Sequence, residues 1–232
     1  MSYYYLAYWF IIGADHAINY YRKSSYQERQ LSEARLTLLK SQLQPHFLFN
    51  AMNMIVTLIT SNPDVAKTML IKLSSLLRMS LDIGKNQETT IREEIAFTRL
   101  YLDLQQTRYH DRLKARINSP DELALAKAPF LILQPLVENV VKHAVCECDE
   151  PVEVVVDISK INGMLQIKVE DDGPGFTGKK GEFSGQGIGL ANVRKRLSTL
   201  YGDLYFFSLD ESDRGGARAI VRFPLKFSED FE

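Results

Sequence analysis

Four short stretches of this sequence hold reactive side chains at spacings that chemistry can use. His46 follows Pro45 in Gln42-Leu43-Gln44-Pro45-His46-Phe47-Leu48-Phe49-Asn50. In a helix that begins near Pro45, His46 shares one stripe with Asn50, Asn53 and Thr57. The other side reads Phe47, Leu48, Ala51, Met54, Ile55 and Leu58, so a lone imidazole backed by amides faces away from a broad apolar surface. A single histidine is more often structural than reactive, and what raises this one is a second group of residues downstream.

That group comes in three pieces. Leu133-Gln134-Pro135-Leu136-Val137-Glu138-Asn139-Val140-Val141-Lys142-His143 ends an apolar helical run with an amide able to ligate a metal, a cation and an imidazole on neighbouring turns. Taken alone it is equally a solvated helix end. Glu170-Asp171-Asp172-Gly173-Pro174-Gly175 closes a strand pattern. A buried carboxylate followed by two glycines can accept a hydrogen bond from an exocyclic amine while the backbone lies flat under a ring, although Asp-Gly-Pro-Gly is also an ordinary turn. Gly185-Gln186-Gly187-Ile188-Gly189 opens a helix, where backbone N–H groups can approach a phosphate chain at the positive helix end. A dinucleotide fingerprint would need a strand immediately before these glycines; the polar loop 178–184 stands there instead.

The elements that must position these residues can be read from pattern. Residues 24–44 are polar, with Leu31, Leu36, Leu38, Leu39 and Leu43 at helical spacing, and suit a two-stranded connector. Pro45 restarts the helix just before His46. That helix should stop at Ser61-Asn62-Pro63-Asp64, where Asn62 caps and Pro63 opens a second helix running to about Asp82. Two antiparallel helices with wide apolar faces cannot bury them alone, so two such hairpins are expected to pair into a four-helix bundle, making a homodimer. Thr90 and Glu93 spell a capping box for a third helix that runs to about Tyr109. The period then shifts to two at Leu113, Ala115 and Ile117. A helix is expected from about Pro129 to Val145, strands at Val152 to Ile158 and Leu165 to Val169, a helix at Leu190 to Tyr201, and strands at Leu204 to Leu209 and Ala217 to Phe223. Polar residues at alternate strand positions predict an α+β unit, with a mixed sheet covered by helices on one face.

The chain has 232 residues, 45% of them hydrophobic, and a formal net charge of -1. It can bury a core in more than one unit, and it lacks the basic field expected of a protein that contacts nucleic acid directly. Cys146 and Cys148 complete neither a tetrahedral metal set nor a disulfide framework, which suits a reducing cytoplasm. The apolar, aromatic run from Tyr3 to Ala14 is too short to cross a core of roughly 30 Å by itself and has no signal-peptide flanks. With Tyr20, Tyr21, Arg22 and Lys23 after it, it reads as the inner end of a membrane helix, an amphipathic or partner-facing helix being the alternative.

Order and spacing join the pieces. An Asn-bearing helix, a strand, Asp171-x-Gly173-x-Gly175, a loop, Gly185-x-Gly187-x-Gly189, a helix and a last strand beginning at Gly215-Gly216 resemble the nucleotide boxes of the GHKL ATPases. Together with the residues around His46 and with Gly189-Leu190-x-Asn192-Val193-x-x-Arg196-Leu197, the chain resembles the LytS/YehU-type sensor histidine kinases from roughly residue 20 onward. The resemblance implies a membrane-helix end at 1–21, a helical or coiled-coil linker at 22–44, dimerisation and histidine-phosphotransfer helices at 45–110, and a GHKL ATP-binding catalytic domain at 111–232. It implies ATP-dependent phosphorylation of His46, then transfer to the aspartate of a response regulator, often one with a LytTR domain, at the cytoplasmic face of the bacterial inner membrane. Carried over by position, Asn139 would ligate Mg²⁺, Asp171 would bind adenine, Gly173 and Gly175 would shape the base pocket, and Gly185, Gly187 and Gly189 would belong to the phosphate loop. Lys142, His143 and Arg196 are candidates for phosphate contacts, and Asn50 for orienting His46 or a water.

Three positions depart from the pattern. Phe47 stands where many histidine kinases have an acid beside the phosphoacceptor, Pro135 where hydrolysing relatives have a glutamate, and Ala217 where a threonine is usual. Little free ATP hydrolysis is therefore expected, with Glu138 a candidate substitute and nucleotide affinity in question at Ala217. An inert nucleotide-binding partner, and an ATPase of the chaperone or topoisomerase kind, are the other classes to separate.

Overall fold

The computed structural model describes residues 45–83, 87–146, 150–175 and 188–227. The expected membrane-helix end and linker, together with Gly185 and Gly187, lie outside the described residues. The chain divides into two compact units, Met1–Asn50 and Ala51–Glu232, and the described part of the first is the opening of helix α1.

Helices come first. α1 spans Pro45–Ser61 and α2 spans Pro63–Ile83. Between them the Asn62 side chain accepts the Val65 N–H at 3.4 Å, capping α2 one residue before its opening proline. On α1, Phe47, Ala51 and Ile55 are buried, while Met52, Val56 and Ile59 are exposed at 58%, 65% and 58%. On α2, Ala66, Met69, Leu73 and Leu76 are buried, and Leu70 and Ile71 are exposed. The helix pair thus satisfies one apolar side and presents another.

Strand β1, Glu88–Thr90, leads into α3, Ile91–Tyr109. The capping box is present: the Glu93 N–H reaches the Thr90 hydroxyl at 3.3 Å, and the Thr90 N–H reaches the Glu93 carboxylate at 3.0 Å. A short 3-10 turn, His110–Arg112, then gives β2, Leu113–Asn118. The helix anticipated from Pro129 instead starts later. Lys127–Pro129 is strand β3, antiparallel to β1, and α4 occupies Leu133–Val140. The cause is local: Leu131 sits at φ 54, which no α-helix accepts, and the buried Glu94 carboxylate takes the N–H groups of Leu131, Ile132 and Leu133. After Val140 the chain widens into a π-turn over Val141–Val145, with the Cys146 N–H bonded to the Val141 carbonyl at 3.1 Å.

The remaining elements are β4 (Val152–Ile161), β5 (Met164–Asp171), α5 (Ile188–Tyr201), β6 (Phe206–Glu211) and β7 (Ala217–Pro224). The strand expected from Leu204 begins two residues later, because Gly202 turns at φ 58 and the Leu204 N–H closes back on the Tyr201 carbonyl. Five strands form one sheet in the order β2-β4-β5-β7-β6, parallel between β2 and β4 and antiparallel elsewhere. Val154, Val156, Ile167, Val169, Val221 and Phe223 point into the core, where α3, α4 and α5 lie, and Tyr201 of α5 stacks on Phe223 with ring centroids 5.1 Å apart. The alternate positions carry charge: Lys168 bridges Asp157 at 3.2 Å and Glu170 at 2.8 Å, and Arg116 meets Glu153 at 2.7 Å. This is the mixed sheet with one covered face that the alternation predicts.

Candidate functional site

Strand parity decides which carboxylate is buried. Along β5, Leu165, Ile167 and Val169 face the helices, and the next residue of the same parity is Asp171, opposite Val154 in register. Asp171 is therefore carried to the end of the apolar face and is only 2% exposed. Burial pushes its carboxyl above the usual carboxylate range, against the backbone N–H groups of Gly173 and Ala217, which donate to it and hold it down. The Gly173 bond measures 3.0 Å.

Glycines wall this carboxylate. A Cβ on Gly216 would lie 2.1 Å from the Asp171 Oδ1, and one on Gly173 would lie 2.6 Å from the Ala144 Cβ. Gly175 turns at φ 67, with the Gly215 carbonyl 2.8 Å from where its Cβ would be. Ala144 belongs to the π-turn, so the segment after Asn139 packs directly on the Asp171–Gly173 loop. π-turns of this kind are rare and cluster at functional sites. Asn139 is half-buried in the last turn of α4, while Lys142 and His143 are exposed on the π-turn. The structure thus gathers Asp171, Gly173, Gly175 and Ala144 around one corner of the fold, with Asn139 on the helix that leads into the π-turn bearing Ala144. A buried carboxylate beside backbone stripped of side chains can accept from the amine of a flat heterocycle.

Gly189 lies in the first turn of α5, with the Pro135 Cβ 3.4 Å from its missing Cβ. Arg196, farther along α5, is half-buried with its guanidinium 6.0 Å from the centre of the Phe130 ring, and its charge bears on Glu94. Ala217, whose side chain departs from the family pattern, contributes through its backbone N–H to Asp171.

One carboxylate and one arginine of this region, Glu94 and Arg214, escaped the sequence reading of the site. Burial pushes the Glu94 carboxyl up to about 7, with the N–H groups of Leu133, Leu131 and Ile132 and the charge of Arg196 pulling the other way. Burial likewise raises Glu138 to about 7, against a hydrogen bond from the Gln134 amide at 2.5 Å. Arg214, in the β6–β7 turn, joins Glu153 at 2.6 Å and Asp172 at 3.3 Å, which holds that turn beside the Asp171 loop. Glu138 was already a candidate in the sequence; of Glu94 and Arg214, Glu94 alone had a signal there, an acid on the apolar side of an amphipathic helix.

The second reactive group stands on α1. His46 is exposed, and the Asn50 amide nitrogen lies 3.1 Å from its Nδ1 and 3.2 Å from its Nε2. The Asn50 amide thus lies one turn along α1 against the edge of the imidazole, where it can restrict how the ring turns.

Residues 34–113 match the family described as histidine kinase, and residues 125–227 match the family described as histidine kinase-, DNA gyrase B-, and HSP90-like ATPase. The chain is 34% identical over 203 residues to sensor histidine kinase YesM of Bacillus subtilis, covering 86% of this chain and 35% of that protein. It is 34% identical over 178 residues to sensor histidine kinase YpdA of Escherichia coli, covering 74% and 31%. It is 31% identical over 213 residues to sensor protein LytS of Staphylococcus epidermidis, covering 88% and 36%. The chain spans about a third of the length of these relatives. With an imidazole-bearing helix in the first matched region and a glycine-walled carboxylate in the second, the chain belongs to the LytS-type sensor histidine kinases.

Proposed function

We propose that this chain is the kinase portion of a two-component sensor, phosphorylating itself on His46 from ATP and passing the phosphoryl group to an aspartate of a response regulator. The observation that carries the reading is the presence in one chain of an exposed imidazole heading α1 and a buried, glycine-walled carboxylate ending β5. Asp171 accepts from the adenine amine, Gly173 and Gly175 leave room for the ring, and the glycines 185, 187 and 189 offer the phosphates backbone donors, Gly189 from the first turn of α5. Lys142 and His143, exposed on the π-turn, are candidate phosphate contacts. Asn139 fits a Mg²⁺ site, since a single hard oxygen ligand suffices for an ion completed by phosphates and water. Bound there, Mg²⁺ would neutralise triphosphate charge.

The transfer balances without a basic side chain beside His46. The unprotonated ring nitrogen attacks the γ-phosphorus in line, a nitrogen–phosphorus bond forms, and the bond to the β–γ bridging oxygen breaks with its electron pair leaving on ADP. The resulting phosphoimidazolium loses the proton on its other nitrogen to water. Asn50 orients the ring in this sequence, and Phe47, buried and apolar, is no obstacle to it. The exposed apolar residues of α1 and α2 fit a homodimer, and the partner is a response regulator, of the LytTR kind. Attachment through the N-terminal run would place the chain at the cytoplasmic face of the bacterial inner membrane; among the described residues no helix is long and apolar enough to cross a membrane.

Incubation with γ-labelled ATP and Mg²⁺ tests the reading. An acid-labile, base-stable label on the protein, absent from His46→Ala, is the expected result. Free phosphate without labelled protein would move the chain to the hydrolysing ATPases, and nucleotide binding with neither would make it an inert module.

A further inference from the structure

The strongest feature outside the nucleotide corner is the way α3 grips α4 at both ends. Glu94 is 2% exposed, and its two oxygens accept the N–H groups of Leu131 at 2.6 Å, Ile132 at 2.9 Å and Leu133 at 3.0 Å. Ile132 and Leu133 are among the donors that a helix leaves unmet at its start, and with the preceding Leu131 they are satisfied by a carboxylate from another helix at the end that favours negative charge. Just beyond α3, Arg112 donates to the Val145 carbonyl at 3.0 Å, where the π-turn finishes and positive charge is favoured. On its other side α3 packs along α2 and meets it through Lys72 and Asp103 at 2.6 Å.

We infer that Glu94 is a positioning residue for nucleotide binding: with Arg112 it fixes where α4 begins and the π-turn ends, and so sets the place of Asn139 relative to the Asp171 loop. This rests on the reading of Asn139 as the Mg²⁺ ligand. Fixing both ends matters because α4 is only eight residues long and passes straight into the wider π-turn, so a free start would let its turns and Asn139 shift together. The same arrangement makes α3 the link through which a displacement of α2 reaches the metal-ligating helix.

The test uses the full chain and two probes, adenosine and Mg-ATP, titrated well below the melting temperature of every variant. Adenosine reports the Asp171 corner, and Mg-ATP adds what Asn139 contributes. Glu94→Ala should hold adenosine affinity within about twofold and weaken Mg-ATP by about tenfold or more, because small misplacements of a ligating group are costly. Glu94→Gln keeps one oxygen for Ile132 and Leu133 and loses the acceptor for Leu131, so it should fall between. Equal weakening of both probes in Glu94→Ala would show general loosening and overturn the positioning role, as would no weakening of either. Wild-type protein that binds adenosine and Mg-ATP alike, and is unaffected by Asn139→Ala, would sink the metal reading itself. Amide hydrogen exchange gives a readout independent of nucleotide: protection at residues 131–140 should drop in Glu94→Ala while β4 and β5 keep theirs, and unchanged protection at 131–140 overturns the inference.

Discussion

Gly216→Ala puts the proposed base pocket to its sharpest test. The added Cβ would stand 2.1 Å from the Asp171 Oδ1, 2.4 Å from its carbonyl oxygen and 2.6 Å from its carbonyl carbon. Ordinary contact begins near 3.4 Å, so relief requires a displacement of about 1.3 Å, the difference between 3.4 and 2.1. Two of the three atoms are backbone in β5, and the third is held by the Gly173 and Ala217 N–H groups; none can swing aside as a long side chain would. Overpacking of this kind costs about 1–3 kcal/mol, and disturbing a bond to a carboxylate adds roughly 1.5 kcal/mol or more. A total near 3 kcal/mol corresponds to roughly a hundredfold in nucleotide affinity where it falls on the pocket, and to a drop in melting temperature of about 6–12 °C where it falls on the fold. Isothermal titration with ATP and thermal unfolding followed by circular dichroism read the two shares. Gly189→Ala is the control: its Cβ meets only the Pro135 Cβ at 3.4 Å, in the first turn of a helix, where alanine is better than glycine by up to about 1 kcal/mol. The packing argument fails if Gly216→Ala melts and binds like the wild type, or if Gly189→Ala, compared by melting temperature alone because Gly189 is itself assigned to the phosphate loop, lowers it as much.

Three other perturbations bear on separate parts of the molecule. Asn50→Ala removes the amide beside both ring nitrogens of His46; the rate of His46 labelling should fall about tenfold with ATP affinity unchanged, and an unaltered labelling time course would deny Asn50 any orienting role. The Glu94 carboxyl is pushed from an ordinary value near 4.5 up to about 7, so between those values the native state keeps a proton that the unfolded chain has lost. Its contribution to stability is complete below about pH 4.5 and is lost as pH rises to about 7, at most roughly 3 kcal/mol. Urea unfolding from pH 5 to 8 should show this slope reduced in Glu94→Gln, with the share of Glu138 left in place; equal slopes in the two proteins would contradict it. Val56→Asp places a charge on the exposed apolar stripe of α1, and sedimentation should then shift from dimer toward monomer; a dimer that survives, together with one that survives Leu70→Asp, would put the interface elsewhere.

The helices and strands were legible because their patterns are long. The stripe on α1, the cap at Asn62, the Thr90–Glu93 box and the alternation in β4 and β5 each repeat a local rule over many residues, and packing had only to agree with them. What pattern missed was decided by single contacts. Strand β3 is three residues long, and the start of α4 depends on a positive φ at Leu131 and on a carboxylate 37 residues earlier in sequence. Of the site, Asp171 and its glycines announce themselves by spacing. Glu94 and Arg214 do not, because their partners come from other elements and no spacing rule connects them. Ala217 drew notice for its side chain, while the structure adds a backbone N–H that donates to Asp171, a contact any residue there could make and no spacing rule reveals.

Sheet register explains how so unfavourable a carboxylate is kept in place. A slip of one residue between β5 and its neighbours would exchange the two faces, turning Lys168 and Glu170 into the core and Ile167 and Val169 out to solvent. On the correct register Glu170 stands opposite Arg218 and Gln166 opposite Arg222, whose guanidinium donates to the Gln166 amide oxygen at 2.6 Å. Glu170 and Gln166 are themselves largely covered by these partners, and the pairs together forbid the alternative, since turning their charges unpaired into the core costs far more than one strained acid. Asp171 is thus held on the apolar face by residues that never approach it. Its carboxyl, raised by burial, keeps acceptor capacity beyond its two backbone donors. An amine placed there would restore part of the solvation that folding removed, so a ligand with a ring amine should stabilise the folded chain, and Asp171→Asn, which keeps the shape and loses the charge, should weaken that stabilisation without loosening the sheet.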